Sequence, residues 1–219
     1  MTIDSNDADA FLRQVYTTLD YKDEVGYYNL ADSPFSFDPL VYSWLKQARE
    51  LHAETIFFVH NHPAIMFFRL DEMLGQNTDV IEDAIRELHI KVWNTSRTPL
   101  FVVALPTELR IYSAYQKPSR DLQEWTSKER WLKRVQRITR VAEVLKDFSR
   151  SEVESGRLFK EKSQDFKREN RVDQWLLRNL RLLRQKLEGN DLSKREYVHA
   201  LIGRSIFVRY LDDRGVLVS

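Results

Sequence analysis

Glu54 stands at the head of a β-rich run, Thr55 to Val59, and Asp71 and Glu72 follow a second such run that ends at Phe68-Arg69. Carboxylates at the ends of neighbouring strands are the groups that hold magnesium, a hard cation that takes oxygen ligands and can activate a water for attack on a phosphodiester. The second strand itself carries Met66-Phe67-Phe68, and phenylalanine cannot ligate magnesium. Glu54, Asp71 and Glu72 are therefore weak catalytic candidates, and no complete catalytic set is assigned. His60 and His62 lie two apart, a spacing that puts two imidazoles on one face of a strand. His60-Asn61-His62-Pro63 also reads as an ordinary hairpin turn, and no third ligand lies at a diagnostic spacing, so no metal site is assigned. His89, four residues before Trp93, reads as a packed core residue. The 219 residues contain no cysteine, which excludes disulfides, thiolate metal sites and cysteine nucleophiles. A Gly-rich phosphate loop, a Gly-x-Ser-x-Gly elbow and an Asn-Pro-Pro-Tyr-type tetrapeptide are likewise missing.

The basic residues make a second pattern. Arg134, Arg137 and Arg140 recur every three residues beside Lys133, and Arg178, Arg181 and Arg184 do the same near Lys186. On a helix, residues three apart drift slowly and form one ridge, suited to following a row of phosphates with an affinity that falls as salt rises. The net charge of +1 conceals a division. Residues 1–100 hold 16 acidic and 8 basic side chains, and residues 101–219 hold 17 acidic and 26 basic ones. Such asymmetry points to a polyanion-binding segment. The same cations, balanced by Glu143, Asp147, Asp173 and Glu188, also read as a solvated helix face. With no base-reading motif, sequence specificity would come from elsewhere.

These residues need elements to place them. Asp7 to Leu19 reads as a helix through Phe11, Val15 and Leu19, and Tyr21 to Pro39 as an irregular aromatic loop. Asp38-Pro39 caps a helix to about Leu51. Thr55–Val59 and Ala64–Leu70 form a hairpin whose continuous apolar character suits strands covered on both faces. Thr78 or Asp79 opens a helix to about Asn94, and Leu100–Leu105 and Glu108–Tyr115 form two more strands around Pro106-Thr107. All six prolines fall between Pro34 and Pro118, so the later chain can run in long helices. Those are read over Ser127–Phe148, with Trp131, Val135, Ile138, Val141, Ala142 and Leu145 on one side, over Val172–Leu187, and from a Ser193 cap to about Asp213. The expected fold class is α+β: an α/β domain over 1–117 and a basic helical domain over 118–219.

The layout over residues 52–115 resembles the nuclease-like domain of restriction enzymes of the Pro-Asp…Glu-x-Lys type. Ala53-Glu54 stands where Pro-Asp would be, Met66-Phe67-Phe68-Arg69 where the Glu-x-Lys strand would be, and His89…Trp93 at the Gln-x-x-x-Tyr spacing. The resemblance covers about 65 residues and implies a degenerate site. Residues Glu196 to Leu217 resemble the helical segment ahead of the catalytic domain in large adenine-specific DNA methyltransferases of restriction-modification and phage-defence systems. That pattern reads Leu-x-Gly-Arg-x-x-Phe-x-Arg-Tyr-Leu-x-Asp-Arg-Gly. The same residues also read physically, with Leu201, Ile202, Ile206, Phe207, Tyr210 and Leu211 as a core stripe and Arg204, Arg209 and Arg214 as partners of Asp212 and Asp213.

The resemblances, together with the charge division, imply a non-catalytic, scaffolding amino-terminal portion of a bacterial restriction-modification protein that binds double-stranded DNA. The apolar end, Val216 to Ser219, fits a chain that continues into a methyltransferase domain using S-adenosylmethionine. The portion itself would need no cofactor, with magnesium required if the nuclease-like site were active. Two alternatives stand beside this: an active endonuclease, and a scaffold that docks a partner protein. No apolar run is long enough to span a membrane, and the polar start lacks a signal peptide, so the expected location is cytoplasmic.

Overall fold

The computed structural model describes residues 6–22, 25–32, 38–70, 78–95, 97–106, 108–127, 131–136, 141–189 and 194–213. The chain divides into two units, residues 1–171 and 172–219.

Each early element forms for a local reason. Helix α1 (Asn6–Thr18) sets Phe11, Leu12, Val15 and Tyr16 on its buried side. Helix α2 (Pro39–Glu50) begins where expected: Asp38 accepts hydrogen bonds from the Leu40 and Val41 amides, and Pro39 occupies the first turn. Strands β2 (Thr55–Val59) and β3 (His62–Arg69) are joined by His60 and Asn61, at φ 48° and 63°. Positive φ at both residues is what a two-residue hairpin turn of the right twist demands. Pro63, expected in the turn, lies within β3, close to the register shift between Phe57 and Phe58. Helix α3 (Thr78–Thr95) crosses to β4 (Leu100–Ala104), which runs parallel to β3, and β5 (Glu108–Ser113) returns antiparallel.

Two strands differ from the expectation. The aromatic loop contains β1 (Tyr27–Asn29), which pairs with β2. Its approach is tight: at Gly26, φ is 96° and a Cβ would lie 2.4 Å from the Phe58 carbonyl oxygen. After the short helix α4 (Leu122–Ser127), the predicted long helix over 127–148 is replaced. Trp131–Gln136 forms β6, antiparallel to β5, and then come helix α5 (Val141–Val144) and a 3-10 turn at Lys146–Phe148. Trp131 and Val135 suit a strand, and pairing supplies hydrogen-bond partners to the outer edge of β5, which a helix would leave bare. The boundary expected at residue 117 therefore falls inside the first unit, whose sheet has six strands in the order β1-β2-β3-β4-β5-β6.

Alternation along the strands divides the core. On one face, Phe57, Ile65, Phe67, Val102, Leu109, Ile111 and Val135 pack with α1 and with Leu145, Phe148, Val153, Leu158 and Phe166. The last group comes from the turn at Lys146–Phe148, helices α6 (Arg150–Glu154) and α7 (Arg157–Glu161), and the stretch after them. On the other face, Ile56, Phe58, Met66, Phe68, Phe101, Val103 and Tyr112 pack with α2, α3 and Trp125 of α4. Helices thus flank a mixed sheet on both sides, as the unbroken apolar runs of β2, β3 and β4 require. The restrained start of the chain matters too: the buried Tyr21 hydroxyl donates to the Phe148 carbonyl at 2.8 Å.

The second unit is helical. It contains α8 (Val172–Glu188) and α9 (Arg195–Asp213), close to the ranges read from sequence, and α9 packs on α8. No described helix is long and apolar enough to cross a membrane.

Candidate functional site

β2 begins beside the end of β3, so the hairpin brings two of the sequence-selected positions together. Thr55 pairs with Phe67, and the Glu54 amide donates to the Phe67 carbonyl at 2.8 Å. Glu54 Oε2 then lies 3.8 Å from Arg69 Nε, with side chains 25% and 35% exposed. This is the carboxyl end of β3, beside its parallel neighbour β4. The chemistry found there is a carboxylate and a guanidinium. Phe67, at the position that a metal-binding carboxylate would take, points into the core and is 1% exposed. Glu54 and Phe67 together do not hold magnesium, because a phenyl ring offers no oxygen ligand. Asp71 and Glu72 lie outside the described residues. Among the described residues, no three histidine, aspartate or glutamate side chains converge as a metal site.

His60 and His62 are exposed at the tip of the hairpin, where the neighbouring Asn61 side-chain amide donates to Asp38 Oδ2 at 3.2 Å. His89 and Trp93 are both committed to packing. The His89 ring is fully buried, with Phe101, Trp125 and Tyr112 rings centred 4.9, 5.3 and 5.9 Å away. Trp93 Nε1 donates to the Asn170 carbonyl at 3.1 Å.

The basic residues fall into two groups. Lys133 and Arg134 lie on β6, so their side chains alternate between faces and the three-residue helical ridge expected of Arg134 with Arg137 and Arg140 is not formed there. Arg137 and Arg140 themselves lie outside the described residues. Arg134 Nε donates to Glu108 Oε2 at 2.5 Å, so its charge is already matched. On α8, Arg178 and Arg181 are exposed, and Arg184 Nε lies 3.5 Å from Glu188 Oε1. Glu188 is buried and also lies 3.8 Å from Arg195 Nε. On α9, Arg209 pairs with Asp212 at 3.2 Å, as the sequence suggested. The expected core stripe of α9 is not buried: Leu201, Ile206, Phe207 and Tyr210 are 49% to 60% exposed.

A charged cluster escaped the sequence reading. Arg110 Nη1 donates to Glu82 Oε1 of α3 at 2.6 Å, and Arg110 Nε donates to Glu108 Oε1 at 2.6 Å. With Arg134 on the other oxygen of Glu108, the four residues alternate in sign from α3 to the sheet's last strand. Trp125 Nε1 donates to Glu82 Oε2 at 3.3 Å. The Arg110 and Arg134 guanidiniums lie 5.3 and 5.5 Å from the Trp131 ring centre. Burial works against the Arg110 charge, but Tyr112 and the carboxylates of Glu82 and Glu108 outweigh it and raise its pKa. Burial pushes the Tyr112 hydroxyl up to about 12. The available signal was Glu82 on the apolar side of α3, and Glu108 and Arg110 alternating with Leu109 and Ile111.

Comparison with protein-family models, curated proteins and solved structures finds no match. The site must therefore be argued from its own geometry.

Proposed function

We propose that the chain is a DNA-binding and scaffolding portion of a restriction-modification protein and catalyses nothing by itself. The observation that carries the non-catalytic half is the Glu54–Arg69 pair, with Phe67 buried beside it where a metal ligand would be required. Arg69 beside Glu54 competes for the carboxylate that a magnesium ion would need. The order of hairpin, crossover helix and parallel strand supports the nuclease-like layout as a fold-level analogy, which by itself says nothing of activity.

The DNA half rests on α8, where Arg178 and Arg181 stand exposed on a strongly amphipathic helix within the basic portion of the chain. They would contact phosphates and give affinity without sequence preference. The methyl-transfer chemistry, with S-adenosylmethionine as donor, would belong to a domain outside these 219 residues.

The test is fluorescence anisotropy with a labelled duplex, titrated at several salt concentrations. Binding at about 50 mM salt is expected, with affinity falling as salt rises. Arg178→Ala and Arg181→Ala should each reduce the steepness of that fall by about one phosphate contact. Failure to bind duplex at about 50 mM salt would remove the DNA role. Magnesium-dependent plasmid cleavage that disappears in Glu54→Ala would replace this reading with an active endonuclease.

A further inference from the structure

Leu176, Leu180, Leu183 and Leu187 follow one another along α8 in steps of four, three and four residues. Steps averaging about 3.5 keep four side chains in one row on a helix, the pattern by which helices pack seam to seam. With α9 in place, Leu176, Leu183 and Leu187 still keep 49%, 44% and 42% of their surface exposed. Gln174, Arg178, Arg181 and Gln185 occupy the opposite side, so the row is a face and not a scatter. Two helices cannot enclose a core of their own, and contiguous apolar surface of this kind marks a place of association.

We propose that this leucine row joins two copies of the chain, closing two helical hairpins into a four-helix bundle. The reason to name a second copy is that the row is its own complement. A four-three-four spacing reads the same in both directions, as a two-fold contact demands. About a two-fold axis between Arg181 and Leu182, Leu180 meets Leu183 of the partner subunit and Leu176 meets Leu187 of the partner subunit. The flanking cations are also compatible. Arg184 falls beside Leu177 of the partner subunit and Lys186 beside Asn179 of the partner subunit, so no cation directly faces a cation. An acidic foreign helix has less to attract it, because Arg184 already lies 3.5 Å from Glu188. The arginine side remains outward, so this association does not depend on the DNA reading.

Sedimentation velocity of the full chain over a wide concentration range tests the proposal. The expected result is a reversible monomer–dimer equilibrium. Leu176→Glu and Leu183→Glu should weaken it by tenfold or more. Leu182→Glu, at a residue equally exposed at 49% but off the row, should leave it intact. Circular dichroism on each variant checks that helix content is kept. A monomer at every concentration overturns the proposal, as do a dimer that survives Leu183→Glu, one lost equally in Leu182→Glu, or open-ended aggregates. Dimerisation without DNA binding would leave this proposal standing and remove the previous one.

Discussion

Tyr112 shows how one side chain ties the interior to solution conditions. Its ring stacks on Phe101 at 5.0 Å and its hydroxyl is buried among the Glu82–Arg110–Glu108 charges. The folded pKa of about 12 stands above the ordinary 10.0, so folding favours the protonated form. The stability this contributes is complete below pH 10 and is lost as pH rises towards 12. Chemical denaturation followed between pH 9 and 12 should show a steep fall in the midpoint. Tyr112→Phe removes the proton in question and should make the fall shallower by on the order of 2 kcal/mol at the alkaline end. An unchanged slope would mean that the hydroxyl ionises in the folded protein without penalty. The buried Tyr21, whose pKa burial also raises, adds to the remaining slope.

At the scale of elements, β6 repays attention because its sequence favours two outcomes. Read with a period near 3.6, Trp131, Val135 and Ile138 make a helix stripe; read with a period of two, Trp131 to Gln136 makes a strand. Local pattern does not separate them, and the strand forms because β5 offers an edge and Glu108 offers an ion pair to Arg134. Arg110 and Arg134 stand directly opposite across β5 and β6, a like-charge pairing that Glu108 bridges. Glu108→Gln should leave Arg134 facing an Arg110 that keeps Glu82 as a partner, and cost about 1–3 kcal/mol in urea denaturation. A loss below about 1 kcal/mol would show that the ladder alone holds β6 in place. The same reasoning explains what could be read in advance. Asp38-Pro39 and the apolar runs of β2, β3 and β4 act through neighbours in sequence or through burial on both faces, and these elements were legible. The cluster of Glu82, Glu108, Arg110 and Arg134 depends on residues up to 52 positions apart that meet only once α3 lies on the sheet. The Glu54–Arg69 pair was half legible: the positions were singled out, but the ion pair follows from the hairpin register.

At the scale of the whole molecule, the first unit reaches to residue 171 because its sheet needs two coverings. The α2–α3–α4 side is supplied by residues up to Trp125, whereas the other side has α1 alone until Leu145 to Phe166 are added. A chain ended at Gln136 should therefore bind a hydrophobic dye and unfold over a broad range, and a chain ended at Arg171 should unfold cooperatively. Equal cooperativity in the two would show that α1 covers its face unaided. The one-sided covering also has a history in time. As the chain emerges from a ribosome at roughly 5–20 residues per second, the sheet waits several seconds between completion of its first covering and arrival of the second. During that interval the apolar sheet face that Leu145, Phe148, Val153, Leu158 and Phe166 later join is what a chaperone would find.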